Sequence, residues 1–233
     1  MIGKPTASQC WRLMCNGRAK GSKGAEYFKY IEELKFELLL KMRVKDFVSK
    51  EQKWGMMCEK FLCDTKIKGF WSECKFQIHH ENDLVSGYTD YENPNPDSIG
   101  DIKCPQLKGY ANSILFTRKG YSAMDIKKEF PKYYWQLTAY SLLTGTKHLQ
   151  LFYFYPHKKQ LEEIREWLTN HPDVEVQNQY ANFFYEIMND QIQSLPKHLK
   201  NITLIDWDVD ESDLLDLENT LKNVNEALKE NRQ

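Results

Sequence analysis

The stretch from Gly87 to Pro105, GYTDYENPNPDSIGDIKCP, constrains this chain more than any other. Two β-like runs, residues 84–91 and 98–104, flank Asn93, Pro94, Asn95, Pro96 and Asp97. Those five favour a turn and oppose a central strand, because proline donates no ladder hydrogen bond. Asp90 therefore falls late in the first strand, and Asp101 and Lys103 fall in the second. Side chains alternate along a strand, so Asp101 and Lys103 share a face while Ile102 points away. A carboxylate beside an ammonium, with a second carboxylate on the next strand, suits metal-assisted phosphodiester hydrolysis. Two carboxylates can hold one or two hard cations, the Ile102 carbonyl can add an oxygen, and the lysine can orient or deprotonate the attacking water. The competing reading is an exposed hairpin with solvated charges, and a D-x-K tripeptide alone does not decide between them.

A chain of 233 residues can bury a real core as one sizeable domain, with room for a helical appendage. No apolar run approaches the length of a membrane span, and the first sixteen residues lack the apolar core of a signal peptide. Cys10, Cys15, Cys58, Cys63, Cys74 and Cys104 lack the spacing of a disulfide framework, so the expectation is reduced thiols in an intracellular, cytoplasmic protein. The pairs Cys10 with Cys15 and Cys58 with Cys63 form a zinc or iron–sulfur site only if they meet. Net charge is −1, which excludes a basic nucleic-acid coat. The distribution is uneven: residues 1–50 carry eleven Lys/Arg against five Asp/Glu, and residues 206–233 carry three against nine. A basic front on a nearly neutral protein is compatible with a local DNA-binding surface, and equally with ordinary solvated helix faces.

Thr6 or Ser8 is suited to cap a short helix reaching Cys15, followed by a flexible basic loop with Arg18, Lys20 and Lys23. Tyr27, Phe28, Ile31, Leu34, Leu38 and Leu39 recur at helical spacing over residues 25–44 and predict a core helix. Ser49 with Gln52 reads as a capping box for a second helix carrying Trp54, Met57 and Glu59, the last in need of a partner among apolar neighbours. Residues 71–80 predict a strand whose adjacent His79 and His80 face opposite ways. Residues 107–130 read as an irregular, partly basic connection. Pro131 opens a helix that Gly145 ends, with Gln136 beside Tyr133 and Tyr140. A buried strand is expected over 149–155, helices over 158–168 and 173–194, a short extended piece over 203–207, and an acidic amphipathic helix over 210–230. The order implies an α/β core with a mixed central sheet flanked by helices.

The positions of Glu59, Asp90, Asp101, Lys103 and Gln136 across these elements bring out a resemblance. PTAS at residues 5–8, WGMMCE at 54–59, the Asp90 strand, GDIKCP at 100–105 and YYWQLTAYSLLTG ending at Gly145 occur in the order and spacing of the lambda-type phage exonucleases, the YqaJ-like viral recombinase nucleases of the PD-(D/E)XK superfamily. The resemblance implies a restriction-endonuclease-like exonuclease domain over residues 1–205 and a helical tail over 206–233. It implies that Asp90, Asp101 and the Ile102 carbonyl ligate Mg²⁺, or Mn²⁺ in its place. Lys103 then activates water, Gln136 orients it, and Glu59 binds metal-coordinated water or a second ion. Ser8 is placed at a terminal 5′-phosphate; beside that resemblance, the loop residues Arg18, Lys20 and Lys23, and Arg12 before them, are the expected DNA contacts by their charge and position. The implied activity is 5′-to-3′ digestion of linear duplex DNA for phage-type recombination, by a ring-forming homo-oligomer working with a single-strand annealing protein. Three departures stand out: Asp101 replaces the usual Glu, Tyr88 replaces a serine, and the phosphate-binding arginine upstream of PTAS is missing, leaving Lys4 or Arg12 as substitutes. A nicking or structure-specific endonuclease on the same core, or an inactive DNA-binding recombination protein, are the alternatives.

Overall fold

The computed structural model of the chain describes residues 2–43, 48–65, 73–189 and 193–229. Five strands, β1 (Lys75–Glu81), β2 (Ser86–Pro94), β3 (Asp97–Lys103), β4 (His148–Phe154) and β5 (Ile202–Asp208), lie side by side in sequence order. β1, β2 and β3 form an antiparallel meander, β4 runs parallel to β3, and β5 returns antiparallel to β4. The single parallel step needs a long crossover, which α4 (Leu107–Arg118), α5 (Ala123–Glu129) and α6 (Pro131–Thr144) supply. This is the mixed sheet flanked by helices that the sequence pattern predicts.

Two connections differ from expectation. Residues 107–130 are not irregular but hold α4 and α5. The fully buried residues of α4 are only Tyr110 and Ser113, so it carries little helical periodicity, whereas α5 begins with a Ser122–Asp125 capping box that its sequence does announce. The hairpin is also tighter than its composition suggests. β2 and β3 pair out to Pro94 and Asp97, leaving Asn95 and Pro96 as the turn. Pro94 is tolerated because it occupies the last position of its strand.

The N-terminal segment is shorter and stiffer than predicted. A 3₁₀ turn, Ala7–Gln9, leads into the four-residue α1 (Cys10–Leu13), and neither Thr6 nor Ser8 provides a side-chain cap. The following loop is closed by a 2.8 Å bond from Gly17 N–H to the Ser22 carbonyl. α2 (Ala25–Leu40) stops at the left-handed Lys41, φ 52°, before the predicted end. It buries Tyr30, Ile31 and Leu34 and leaves Phe28 and Leu39 in solvent. Its apolar residues exceed one face, so spacing alone could not select the buried stripe. α3 (Lys50–Thr65) starts at the predicted capping box, with Ser49 N–H donating to Gln52 Oε1 at 2.8 Å and Gln52 N–H to Ser49 Oγ at 3.2 Å.

α6 is buried from Tyr134 to Ser141 and lies between the sheet and α9 (Glu211–Lys229). α7 (Lys158–Thr169) and α8 (Val174–Asn189) pack together and against α3. Position 205/206 falls inside β5, and α9 beyond it buries Leu217, Leu221, Val224 and Leu228 against the rest of the chain. Asp213 of α9 accepts from Lys127 Nζ at 2.6 Å and from Tyr134 OH at 2.7 Å, tying the helix to α5 and α6. Among the described residues no helix is long and apolar enough to cross a membrane, and all six cysteines are free thiols. Removing one member of a buried charged network strands the others. Asp213→Ala is therefore expected to lower unfolding stability by about 2 kcal/mol. Urea denaturation tests this, with the exposed Leu215→Ala changing it by less than about 0.5 kcal/mol.

Candidate active site

The sheet comes apart where the charged residues lie. The β2–β3 ladder runs from the turn back to Tyr91 and Gly100 and then ends, while β3 continues alongside β4 through Lys103. Tyr91 lies flat across Gly100: a Cβ built there would stand 2.0 Å from the ring. A side chain at position 100 would push this register apart. Past the end of the ladder, Ile102 N–H has no β2 carbonyl to meet, and the Asp90 side chain takes it through Oδ2 at 2.7 Å. The carboxylate thus replaces a missing backbone partner at the mouth of a split.

Asp101 and Lys103 share the face that alternation assigns them. Lys103 Nζ stands 2.5 Å from Asp101 Oδ2, an atom sealed from solvent that accepts no aligned hydrogen bond. The other oxygen, Oδ1, accepts from Gln136 Nε2 at 2.9 Å, and the same amide reaches Tyr140 OH at 3.0 Å. α6 therefore positions Gln136 on Asp101. The Tyr133 ring of the same helix lies 4.8 Å from Lys103 Nζ, a cation–π contact that restricts the ammonium. From the other side α3 brings Glu59, whose partner is Gln77: Gln77 Nε2 donates to Glu59 Oε1 at 2.7 Å.

Three carboxylates and one ammonium do not balance, and the titration of the cluster records this. Burial, then repulsion from Asp101 and Glu59, holds the Asp90 carboxyl well above the usual range. Burial also lifts Glu59 to about 7; Lys103 opposes the shift, Asp101 adds to it, and the Gln77 amide opposes it. Burial works against the Lys103 ammonium, but the Asp101 and Asp90 charges outweigh it and raise its pKa. The deficit of positive charge is what a hard divalent cation relieves. The donor chemistry matches a hard cation: two carboxylates, Asp90 and Asp101, on adjacent strands, with Asp101 Oδ2 held by the Lys103 ammonium that an ion would have to share it with. Among the described residues no group of three or more His, Cys, Asp or Glu side chains is placed to hold a metal ion together. The fit accordingly rests on the Asp90 and Asp101 side of the split.

Glu59 and Lys103 line a cleft of about 680 Å³ that continues past Lys108 and Asn112 to the start of α4. A larger cavity of about 1060 Å³ lies between α3 and α7, but Asp64, Glu163 and Glu166 face it, a lining that repels a polyanion. A third, of about 460 Å³, is lined by Ser8, Arg43, His79, Tyr88 and Tyr140. Tyr88 lies two residues before Asp90 on β2, although no carboxylate of the cluster lines this cavity.

The structure thus gathers Glu59, Asp90, Asp101, Ile102, Lys103 and Gln136. It does not gather the expected basic residues. Arg12 is buried and held by Glu33 at 2.5 and 2.8 Å and by Glu26 at 3.1 Å. Lys4 is bound to Glu81 and to the Asn82 carbonyl, each at 2.7 Å. Lys23 is turned inward to the Leu13 carbonyl and Thr220, while Arg18 and Lys20 stay in solvent. Arg43, which sequence reasoning passed over as the end of a helix, is the arginine beside Ser8. Gln77 was missed as well, because an alternating strand gives no reason to select it.

No protein-family model matches the chain, and no curated protein is similar to it at a significant level. Solved structures are. The alkaline exonuclease LHK-Exo from Laribacter hongkongensis superposes with a TM-score of 0.64 at 14% identity, over 98% of this chain and 89% of its own. Its complex with dAMP gives 0.62 at 14% over the same shares. A phage-related exonuclease from Haemophilus somnus 129PT gives 0.60 at 16%, over 95% of this chain and 91% of its own. The likeness is one of fold: the mixed five-stranded sheet flanked by helices is shared with these exonucleases.

A carboxyl with a raised pKa stabilises the fold below its unfolded value and loses that contribution as pH rises through the folded one. For Glu59 the window runs from the ordinary 4.5 to about 7. In chelator at pH 8, Glu59→Gln is expected to melt above the wild type, and at pH 4 the two should coincide. Differential scanning calorimetry checks both.

Proposed function

We propose that this chain is a metal-dependent deoxyribonuclease that digests one strand of linear duplex DNA from an end, with Mg²⁺ as the natural ion and Mn²⁺ as a substitute. The observation that carries the reading is the convergence of Asp90, Asp101 and Lys103 at the split edge of one sheet, in a fold shared with two solved exonucleases. A hydrolase for phosphodiesters needs oxygen ligands for a hard cation, a base for water and a way to exclude other reactions.

Asp90, Asp101 and the Ile102 carbonyl would hold the ion, which when bound supplies charge to the attacked phosphoryl group. Lys103 stays an ammonium, held against Tyr133 and Asp101, and there it orients the attacking water and offsets negative charge on the phosphoryl oxygens, while the proton of the water leaves to solvent through the cleft. Gln136 acts through Asp101, keeping that carboxylate in place, rather than on water as the resemblance implies. Glu59 carries a proton close to neutrality and can exchange it with solvent in the cleft. Asp101 is one methylene shorter than the family's usual Glu, and the hydrogen bond from the Gln136 amide and the ion pair with Lys103 are made to this shorter side chain.

End recognition belongs to the cavity of Ser8 and Arg43. A 5′-phosphate placed there sits beside Tyr88, which is two residues before Asp90 on β2. This arrangement supports a 5′-to-3′ direction. Arg43 in this view takes the place of the arginine missing upstream of PTAS. A ring-shaped homo-oligomer, a single-strand annealing partner and a role in phage-type recombination belong to the same proposal.

Linear duplex with Mg²⁺ should be degraded and covalently closed circles should persist; equal loss of both identifies an endonuclease instead. Lys103→Ala is expected to cut turnover by about 10²–10⁴-fold while DNA binding persists. Arg43→Ala should abolish the preference for 5′-phosphorylated over unphosphorylated ends with little effect on the slower, unphosphorylated substrate. Retained preference would remove Arg43 from end recognition.

A further inference from the structure

We infer that Gln77 is a positioning residue, whose carboxamide, aimed by a left-handed backbone in the middle of β1, fixes the Glu59 carboxylate in the wall of the cleft. The inference rests on the nuclease reading and adds to it a residue that the five motifs do not contain.

Gln77 has φ 52°. The other described non-glycine residue with a positive φ is Lys41, which ends α2, where a left-handed residue is the ordinary helix stop. Gln77 has no such reason. It sits inside a strand, between Phe76 paired with Tyr91 and Ile78 paired with Thr89. That register sets it across from Asp90, and the ladder skips this one step. A side chain other than glycine, asparagine or aspartate held in this region within a strand is strained, and such strain persists where the surrounding structure enforces it for a purpose.

The purpose is visible in where the side chain goes. Its Nε2 reaches Glu59 Oε1, eighteen residues away on α3, at 2.7 Å. Glu59 forms the common wall of the cleft holding Lys103 and of a second cavity of about 540 Å³ lined by Gln77, Met56, Cys63 and Tyr180. Without the amide, the carboxylate has room to swing into that second cavity. A glutamine holds it without cancelling its charge, as a lysine would. Asparagine is one methylene too short, and glutamate would repel it.

Gln77→Gly and Gln77→Asn both suit the left-handed backbone better than the native residue, so a purely structural role predicts wild-type turnover and equal or higher melting temperature. The positioning role predicts an equal or higher melting temperature together with a kcat on linear DNA lowered about tenfold and a KM within about twofold. It also predicts that Gln77→Gly adds less than about twofold in a Glu59→Ala background, because the residue acts through Glu59. Wild-type kcat in both variants, or an undiminished loss in the Glu59→Ala background, overturns the inference. An inactive wild-type protein removes the nuclease reading and takes this inference with it, an outcome distinct from an active enzyme indifferent to position 77.

Discussion

The bond from Ile102 N–H to Asp90 is the interaction on which the arrangement depends. Continued pairing in the same register would set Asp90 directly across from Asp101. Because the β2–β3 ladder ends at Tyr91 and Gly100, the two strands part, and a carboxylate takes the place of the lost carbonyl acceptor. Everything else holds that split open at a fixed width. Tyr91 over Gly100 locks the register on one side, with Tyr91 OH donating to Gln150 Oε1 of β4 at 2.8 Å. The parallel pairing of β3 with β4 keeps Asp101 and Lys103 from following β2.

The helices then decide what the split contains. α6 contributes an amide to Asp101 and an aromatic face to Lys103 from one buried surface. α3 contributes Glu59, and β1 restrains it through Gln77. The resulting cluster is short of positive charge in a site too dry for water to compensate fully. That shortage is the physical ground for proposing a cation-dependent reaction.

Much of this was legible in the amino-acid order. The alternation around Ile102, the Ser49–Gln52 box and the Pro131 to Gly145 helix each rest on local chemistry and appear where predicted, and the expected turn after β2 is present but narrowed to Asn95 and Pro96. Tertiary choices were not legible. Arg12 and Lys4 looked available for DNA because their sequence neighbours do not include Glu33, Glu26 or Glu81, the acids that bind them. Arg43 gained its place beside Ser8 because α2 ends at Lys41, a stop that no glycine or proline marks. Gln77 escaped because strand periodicity presumes extended backbone, and a single left-handed residue leaves no trace in composition. The short α4 was missed because it buries too little to show a period.

The central claim is that Asp90 and Asp101 bind a divalent cation at the split. Isothermal titration of Mg²⁺ or Mn²⁺ into the wild-type protein and into Asp101→Ala tests it without reference to any substrate. Saturable binding to the wild type that is lost in the variant is the predicted result; no binding to the wild type, or equal binding to both, contradicts the account.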